Sequence, residues 1–470
     1  MSHESGAQPG DLVIEQFVSE RLGNSAYLVG SRAAGEAVLI DPLRDIEPYL
    51  ARAEALGLRV VNALETHIHN DFVSGAREVA QATGARLGAS AEAELAYPFT
   101  PLRHGDSVAA GSWRLRVVAT PGHTPEHVSY LLTSAGGTPE ALFSGGSLMA
   151  GSIARPDLLG PRHTAALARS AWDTLRERLL VLPDEVTVYP THGGGSFCGA
   201  GQTGDRVTSI GAERAHNPLA QAQTFRQFFT GYVGPLGAYP AYYQFMRAGN
   251  LRGYPLLGRS APALKPLSPV DVEAALAAGA TLVDARPFPE YDAGHIPNSL
   301  AAGLDDALSA WVGWILTPDA PIILVASSPE DAREAQIELL RIGFDNLLGA
   351  LEGGVEAWAA SGRALRQTRP ATMAEVAEAI ERGEPLAVVD SREPNEWLED
   401  HVPGASVAPV GQLPTLAASL PRDMPIAVHC GHGFRSSVAA SVLERAGIED
   451  IWHVTDGMPA WRRAWRRAWR

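Results

Sequence analysis

The chain has 470 residues, 46% hydrophobic and 19% charged, with a formal net charge of −15. That length suits about three domains of ~150 residues each. The acidic balance excludes a nucleic-acid or anionic-membrane partner, since both need a basic face. No apolar run approaches the ~18 residues that span a bilayer, and MSHESGAQPGD has neither the basic nor the apolar region of a secretory signal. With only two cysteines, no disulfide framework holds the protein, and a cytoplasmic location is expected.

The first half alternates short apolar runs with Gly, Pro and Asp. Strands are expected at 37–41, 58–65, 115–120, 127–133 and 186–190, with helices at 74–84 and 164–182. This alternation points to a layered α/β domain. Around 253–269 the chain turns polar and proline-rich, and Pro262, Pro266 and Pro269 mark an exposed linker. The chain then repeats itself. TLVDARPFPEYDAGHIPNS, starting at Thr281, matches AVVDSREPNEWLEDHVPGAS, starting at Ala387, with an offset of 390 − 284 = 106. LLGALEGGVEAW from Leu347 likewise matches IWHVTDGMPAW from Ile451. Two tandem copies of one domain follow, each a parallel sheet linked by helices. The expected boundaries are a first domain over 1–255, a linker over 256–268, and the copies over 269–366 and 367–470. The tail WRRAWRRAWR places Trp461, Trp465 and Trp469 on one helical face, more suited to packing on its own domain than to a partner.

In the second copy a strand at 425–429 runs into CGHGFRSS, with a helix expected over 437–447. A cysteine between a strand end and a helix start faces backbone N–H groups that favour its thiolate. Gly431 and Gly433 let the loop curl, His432 and Phe434 complete it, and Arg435 can hold an oxyanion. This segment resembles the active loop of rhodanese (sulfurtransferase) domains, as do Asp390-Ser391-Arg392 and Gly457-Met458-Pro459-Ala460-Trp461. The resemblance implies a persulfide on Cys430, loaded from a donor such as thiosulfate and discharged to a thiol. Four residues separate Cys430 from Arg435, one fewer than in a phosphatase-type loop. In the first copy Ala326 or Ser327 stands where the cysteine should be. That copy is expected to pack, dock or position, since serine cannot store sulfane sulfur.

Four histidines occupy turn-rich loops in the first half: His67 and His69 in THIHND, His123 in PGHTPEH, and His192 in PTHGGG. An HxH pair can chelate one ion. With FSGGSLMAGS from Phe143, this set resembles the metallo-β-lactamase superfamily, nearest its glyoxalase II-like and persulfide dioxygenase branch. The resemblance implies an αββα sandwich followed by two rhodanese-like α/β domains with parallel sheets. It also implies activity on a thiol persulfide such as glutathione persulfide.

Two departures bear on the metal. Phe72 stands where the family has a histidine, and Gly146 where it has an aspartate. In the iron dioxygenases that aspartate completes a triad with the positions of His67 and His123. What remains favours at most one divalent ion, Zn or Fe, on His67, His69 and His123. Asp71 and His192 are then outer partners or weak ligands, and Asp157 is a lesser candidate to replace the carboxylate. His127 is not expected to bind, and Cys198 reads as a small structural residue. The rival readings are a metal-dependent thioester hydrolase and a metal-free binding platform. Homo-oligomerisation is left open.

Overall fold

The computed structural model describes residues 10–199 and 204–468; Trp469 lies outside them, as does the side chain of Trp465. The chain forms two compact units. One runs to Tyr239 and resumes over Tyr243–Pro262, and the other takes Pro240–Tyr242 and the chain from Ala263.

The first unit contains two six-stranded sheets. One has the order Leu12–Ser19, Asn24–Ser31, Glu36–Ile40, Arg59–Leu64, Arg86–Ser90 and Thr100–Leu102. The other has the order Thr208–Ser209, Thr187–Pro190, Pro139–Gly145, Val128–Thr133, Trp113–Ala119 and Ser107–Ala110. Alternate side chains of the two sheets meet in one core: Tyr27, Val29, Val38 and Ile40 against Leu115, Val117, Tyr130, Leu132 and Phe143. The second sheet's other face buries Leu131, Leu142 and Val188 under the helices Pro161–Thr174 and Phe225–Val233. Helices Glu47–Ala55 and Ala76–Thr83 pack on the first sheet, completing an αββα sandwich.

The second unit holds two five-stranded parallel sheets with one strand order. The first runs Pro266–Leu267, Leu347–Leu351, Ile322–Val325, Thr281–Asp284, Leu300–Ala301. The second runs Arg369–Ala371, Ile451–Val454, Ile426–His429, Ala387–Asp390, Ser406–Val407. Register resolves which residue replaces the cysteine. Asp284 pairs with Val325 and Asp390 with His429, so Ala326 occupies the place of Cys430. In both copies the Asp-x-Arg motif folds back on itself: Arg286 grips Asp284 at 2.7 Å and Arg392 grips Asp390 at 2.7 Å. These shared residues close a strand end and are not exposed chemistry.

No described helix is long and apolar enough to cross a membrane. Buried residues make two expectations concrete. Leu132 is fully buried between the sheets, so Leu132→Ala should cost about 2–5 kcal/mol, read as a lower urea midpoint of the transition that carries the first unit. His429 is fully buried at the end of its strand, and burial pulls its imidazole down to about 4. The unfolded chain, titrating near 6.5, takes up that proton first. The contribution of His429 to stability should therefore be lost as pH drops from about 6.5 to 4, by about 3 kcal/mol at most. His429→Leu should flatten that slope in acid-unfolding curves.

Candidate functional site

The histidine loops meet at the strand ends of the first unit. The loop after Arg59–Leu64 carries His67, His69 and Asp71. It is pinned by Asn250, whose amide donates to the carbonyls of His69 (2.9 Å) and Phe72 (2.8 Å), and by Glu126, which accepts the N–H of Ile68 (3.1 Å). Phe72 is fully buried and stacks on His69 with ring centroids 4.0 Å apart. An apolar ring thus fills the place of the family's further histidine.

Hydrogen-bond valence fixes how each ring presents itself. Thr66 donates its hydroxyl to Asp41 (2.7 Å), so it must accept from His67 Nδ1 at 2.9 Å. His123 donates from Nδ1 to the Arg155 carbonyl at 2.6 Å. His192 Nδ1 faces the Asp71 carboxylate at 3.2 Å. Each ring spends its N–H outward, and its Nε2 keeps a lone pair. The donor atoms of His67, His123 and His192 lie within 4.8 Å of one another, and the Nε2 atoms of His67 and His192 are 3.3 Å apart. His123 Nε2 is buried with no hydrogen-bond partner. Lone pairs this close repel unless a cation lies between them. Two nitrogens at ~2.0–2.1 Å from a tetrahedral ion would be spaced by about the same distance. The residues present therefore fit one divalent ion.

His69 is placed differently. Its Nε2 is held by Glu65 (2.9 Å) and Asp41 (3.3 Å), while its Nδ1 is buried without a partner. Burial alone would pull this imidazole down, but the Asp41 and Glu65 carboxylates push it up to about 10. Burial pulls His123 down to about 3, and the neighbouring His192 adds to this. Burial likewise drives His67 well below its ordinary value. Asp71 is held low by His192 against the effect of its own burial. The donor atoms of His67, His123 and His192 close up as one group, while those of His69 close up with Asp41 and His67 and also with Asp71 and His192.

Gly145 and Gly146 explain the missing carboxylate. Gly145 sits at φ +57, and a Cβ there would lie 2.5 Å from His127 Nε2. A Cβ on Gly146 would meet Ala154 Cβ at 2.7 Å, His123 at 3.0 Å and His192 at 3.2 Å. No room is left for an acidic side chain. His127 holds the turn by accepting the Gly146 N–H at 3.0 Å, so its ring is occupied. Asp157 grips Arg155 at 2.6 Å instead of entering the site. Cys198 is fully buried, and burial pushes its thiol well up. Asp41 and Glu65 were missed by sequence reasoning. Each ends a strand beside the HxH run, and that position was the available signal.

The second cluster surrounds Cys430. The helix after it starts at Phe434 and runs to Arg445, earlier than the expected 437. Gly433, at φ +98, caps it, so the turn is only Cys430 to Gly433 and Arg435 lies in the first helical turn. The Gly433 N–H donates to Cys430 Sγ at 3.2 Å, and Ser436 Oγ lies 3.4 Å from it. A Cβ on Gly457 would strike the Gly431 carbonyl at 2.1 Å, so the loop closes tightly on Gly457. Arg435 is not bare: Glu396 takes both its terminal nitrogens, one at 2.8 Å.

Family models match the two parts of the chain that carry these clusters. The family model described as the metallo-beta-lactamase superfamily matches residues 20–192, and the rhodanese-like domain model matches 268–361 and 372–464. The chain is 28% identical over 222 residues to human "Persulfide dioxygenase ETHE1, mitochondrial", covering 46% of this chain and 78% of that protein. It is 33% identical over 186 residues to a hydroxyacylglutathione hydrolase of Cereibacter sphaeroides, covering 39% and 67%. For the Rhodospirillum rubrum hydroxyacylglutathione hydrolase, 36% identical, the match covers 36% of this chain and 62% of that protein. Among solved structures, a metallo-beta-lactamase from Staphylococcus aureus aligns over 72% of this chain and 99% of its own, with TM-score 0.66 and 29% identity. The chain therefore belongs to the metallo-beta-lactamase superfamily through its N-terminal part and carries two tandem rhodanese-like domains behind it.

Proposed function

We propose that this protein moves and processes sulfane sulfur, with Cys430 as its sulfur carrier. The observation that carries the reading is the Gly433 N–H on Cys430 Sγ at a helix N-terminus, an arrangement that stabilises sulfur anions. In the reaction the Cys430 thiolate attacks the outer sulfur of thiosulfate. The thiosulfate S–S bond breaks, and sulfite leaves with its electron pair. The anionic terminal sulfur of the resulting persulfide is held by loop N–H groups. An acceptor thiolate then attacks that sulfur, the bond to Cys430 breaks, and the Cys430 thiolate returns. Arg435 receives the donor anion by exchanging it for Glu396.

In the first unit His67, His123 and His192 would hold one divalent metal ion, Zn or Fe. This revises the expected set by exchanging His69 for His192. When bound, such an ion supplies Lewis-acid or redox chemistry at a sulfur substrate. Thr66, the Arg155 carbonyl and Asp71 fix the three rings, and Asp41 and Glu65 hold the Nε2 of His69. The likeness to a persulfide dioxygenase, joined to sulfur-transfer domains, supports a thiol persulfide such as glutathione persulfide as the substrate.

Three measurements test this. After thiosulfate treatment, intact-mass analysis should show one added sulfur on wild type and none on Cys430→Ser, whose transfer activity should also vanish; an unmodified wild type refutes the carrier role. Elemental analysis should find about one equivalent of metal in wild type and under about a tenth in His192→Ala. A site emptied by His69→Ala but retained in His192→Ala would restore the trio of His67, His69 and His123. Oxygen electrodes should register uptake with glutathione persulfide, and no uptake alongside intact thiosulfate transfer rules out the oxidative half.

A further inference from the structure

The cysteine-less copy reaches into the sulfur loop of its neighbour. Asp292, at the end of its helix Phe288–Ala293, bonds His453 Nδ1 at 2.7 Å. His453 is fully buried, and its Nε2 bonds the Gly433 carbonyl at 2.8 Å. Both ring nitrogens are thus engaged, one by the Asp292 carboxylate and the other by the Gly433 carbonyl. Gly433 is the residue whose N–H touches Cys430 Sγ. Phe288 adds packing, edge-on to Phe434 at 5.5 Å and to His453 at 5.2 Å. The turn that follows this helix is held as well. Glu444 takes His295 Nε2 at 2.9 Å and the Asn298 N–H at 2.8 Å, both from the cysteine-less copy.

The arrangement is one-sided. By the repeat offset of 106, Asp292 corresponds to Leu398, which is 76% exposed. By sheet register His453 corresponds to Ala350, since Val428 pairs with His453 where its counterpart Leu324 pairs with Ala350. Each half of the relay exists only in the copy where it serves Cys430. A mere structural echo of the repeat would have placed these residues in both copies.

We propose that the cysteine-less rhodanese copy is a positioning element for sulfur transfer: Asp292, acting through His453, fixes the Gly433 carbonyl so that the Gly433 N–H stays on the Cys430 sulfur. This rests on the sulfur-carrier reading above. Asp292 and His453 are positioning residues and touch no substrate. The test uses the full chain with Asp292→Ala, Asp292→Asn, His453→Phe and His453→Gln. Thiosulfate sulfur transfer and the iodoacetamide alkylation rate of Cys430 are measured at one pH, and Tm is measured for each variant. Asp292→Ala and His453→Phe should lower kcat about tenfold while KM stays within about twofold, and they should slow alkylation in parallel. Asp292→Asn keeps an acceptor for His453 and His453→Gln keeps a donor to Gly433, so both should recover most of kcat. Wild-type kcat and alkylation in Asp292→Ala and His453→Phe overturn the proposal. So does a loss that follows Tm alone and is not rescued by the conservative variants. If wild type transfers no sulfur, the sulfur-carrier reading fails, and the alkylation rates still decide whether the relay positions Cys430.

Discussion

One buried carboxylate, Asp41, organises the histidine loops. It accepts the Thr66 N–H and the Thr66 hydroxyl, each at 2.7 Å, the Thr191 hydroxyl, and His69 Nε2. Its backbone sits at φ +49, an uncommon conformation for a residue with a side chain. Through these bonds one group ties the end of strand Glu36–Ile40 to the loops carrying His67, His69 and His192. It also decides which nitrogen of His67 keeps its lone pair. Burial of a charge is costly unless donors surround it, so the four contacts are the condition for its being there. Burial acts to raise Asp41, yet these donors leave it below the usual carboxylate range.

The loss of the family's aspartate is therefore not a gap in an otherwise unchanged site. Gly146 is hemmed in by Ala154, His123 and His192, and the turn is fixed by His127 and by the left-handed Gly145. The rings have closed over the place where a carboxylate would stand. The result is a close cluster of His67, His69, His123 and His192, with the carboxylates of Asp41 and Asp71 among the groups within reach of a shared ion.

Much of this was legible in the chain. The repeat at an offset of 106, the strand-Cys-Gly-x-Gly-helix run and the His-rich turns each rest on local pattern, and local pattern survives into the fold. The start of helix Phe434–Arg445 was less legible, because Gly433 caps it by its backbone and offers no Ser, Thr or Asp signal. The cysteine's replacement stayed ambiguous until sheet register assigned Ala326. Asp41, Glu65 and Asn250 were missed because they hold His69, Thr66 and the loop backbone from outside the histidine motifs. Asp292 and His453 were invisible for a different reason. Their meaning lies in a contact between copies, and comparing the copies by pattern erases the positions where they differ.

The separation of that contact has a consequence for how the protein is made. Asp292 and His453 lie 161 residues apart in the chain. A bond over such a span closes late, after each partner's own sheet has paid its loop-closure entropy. The cysteine-less copy leaves the ribosome first and can be folded before the strand bearing His453 is synthesised. The loop around Cys430 is then finished only when the newer copy docks on the older one. A chain clipped between the two copies would carry Cys430 without the Asp292 contact to His453.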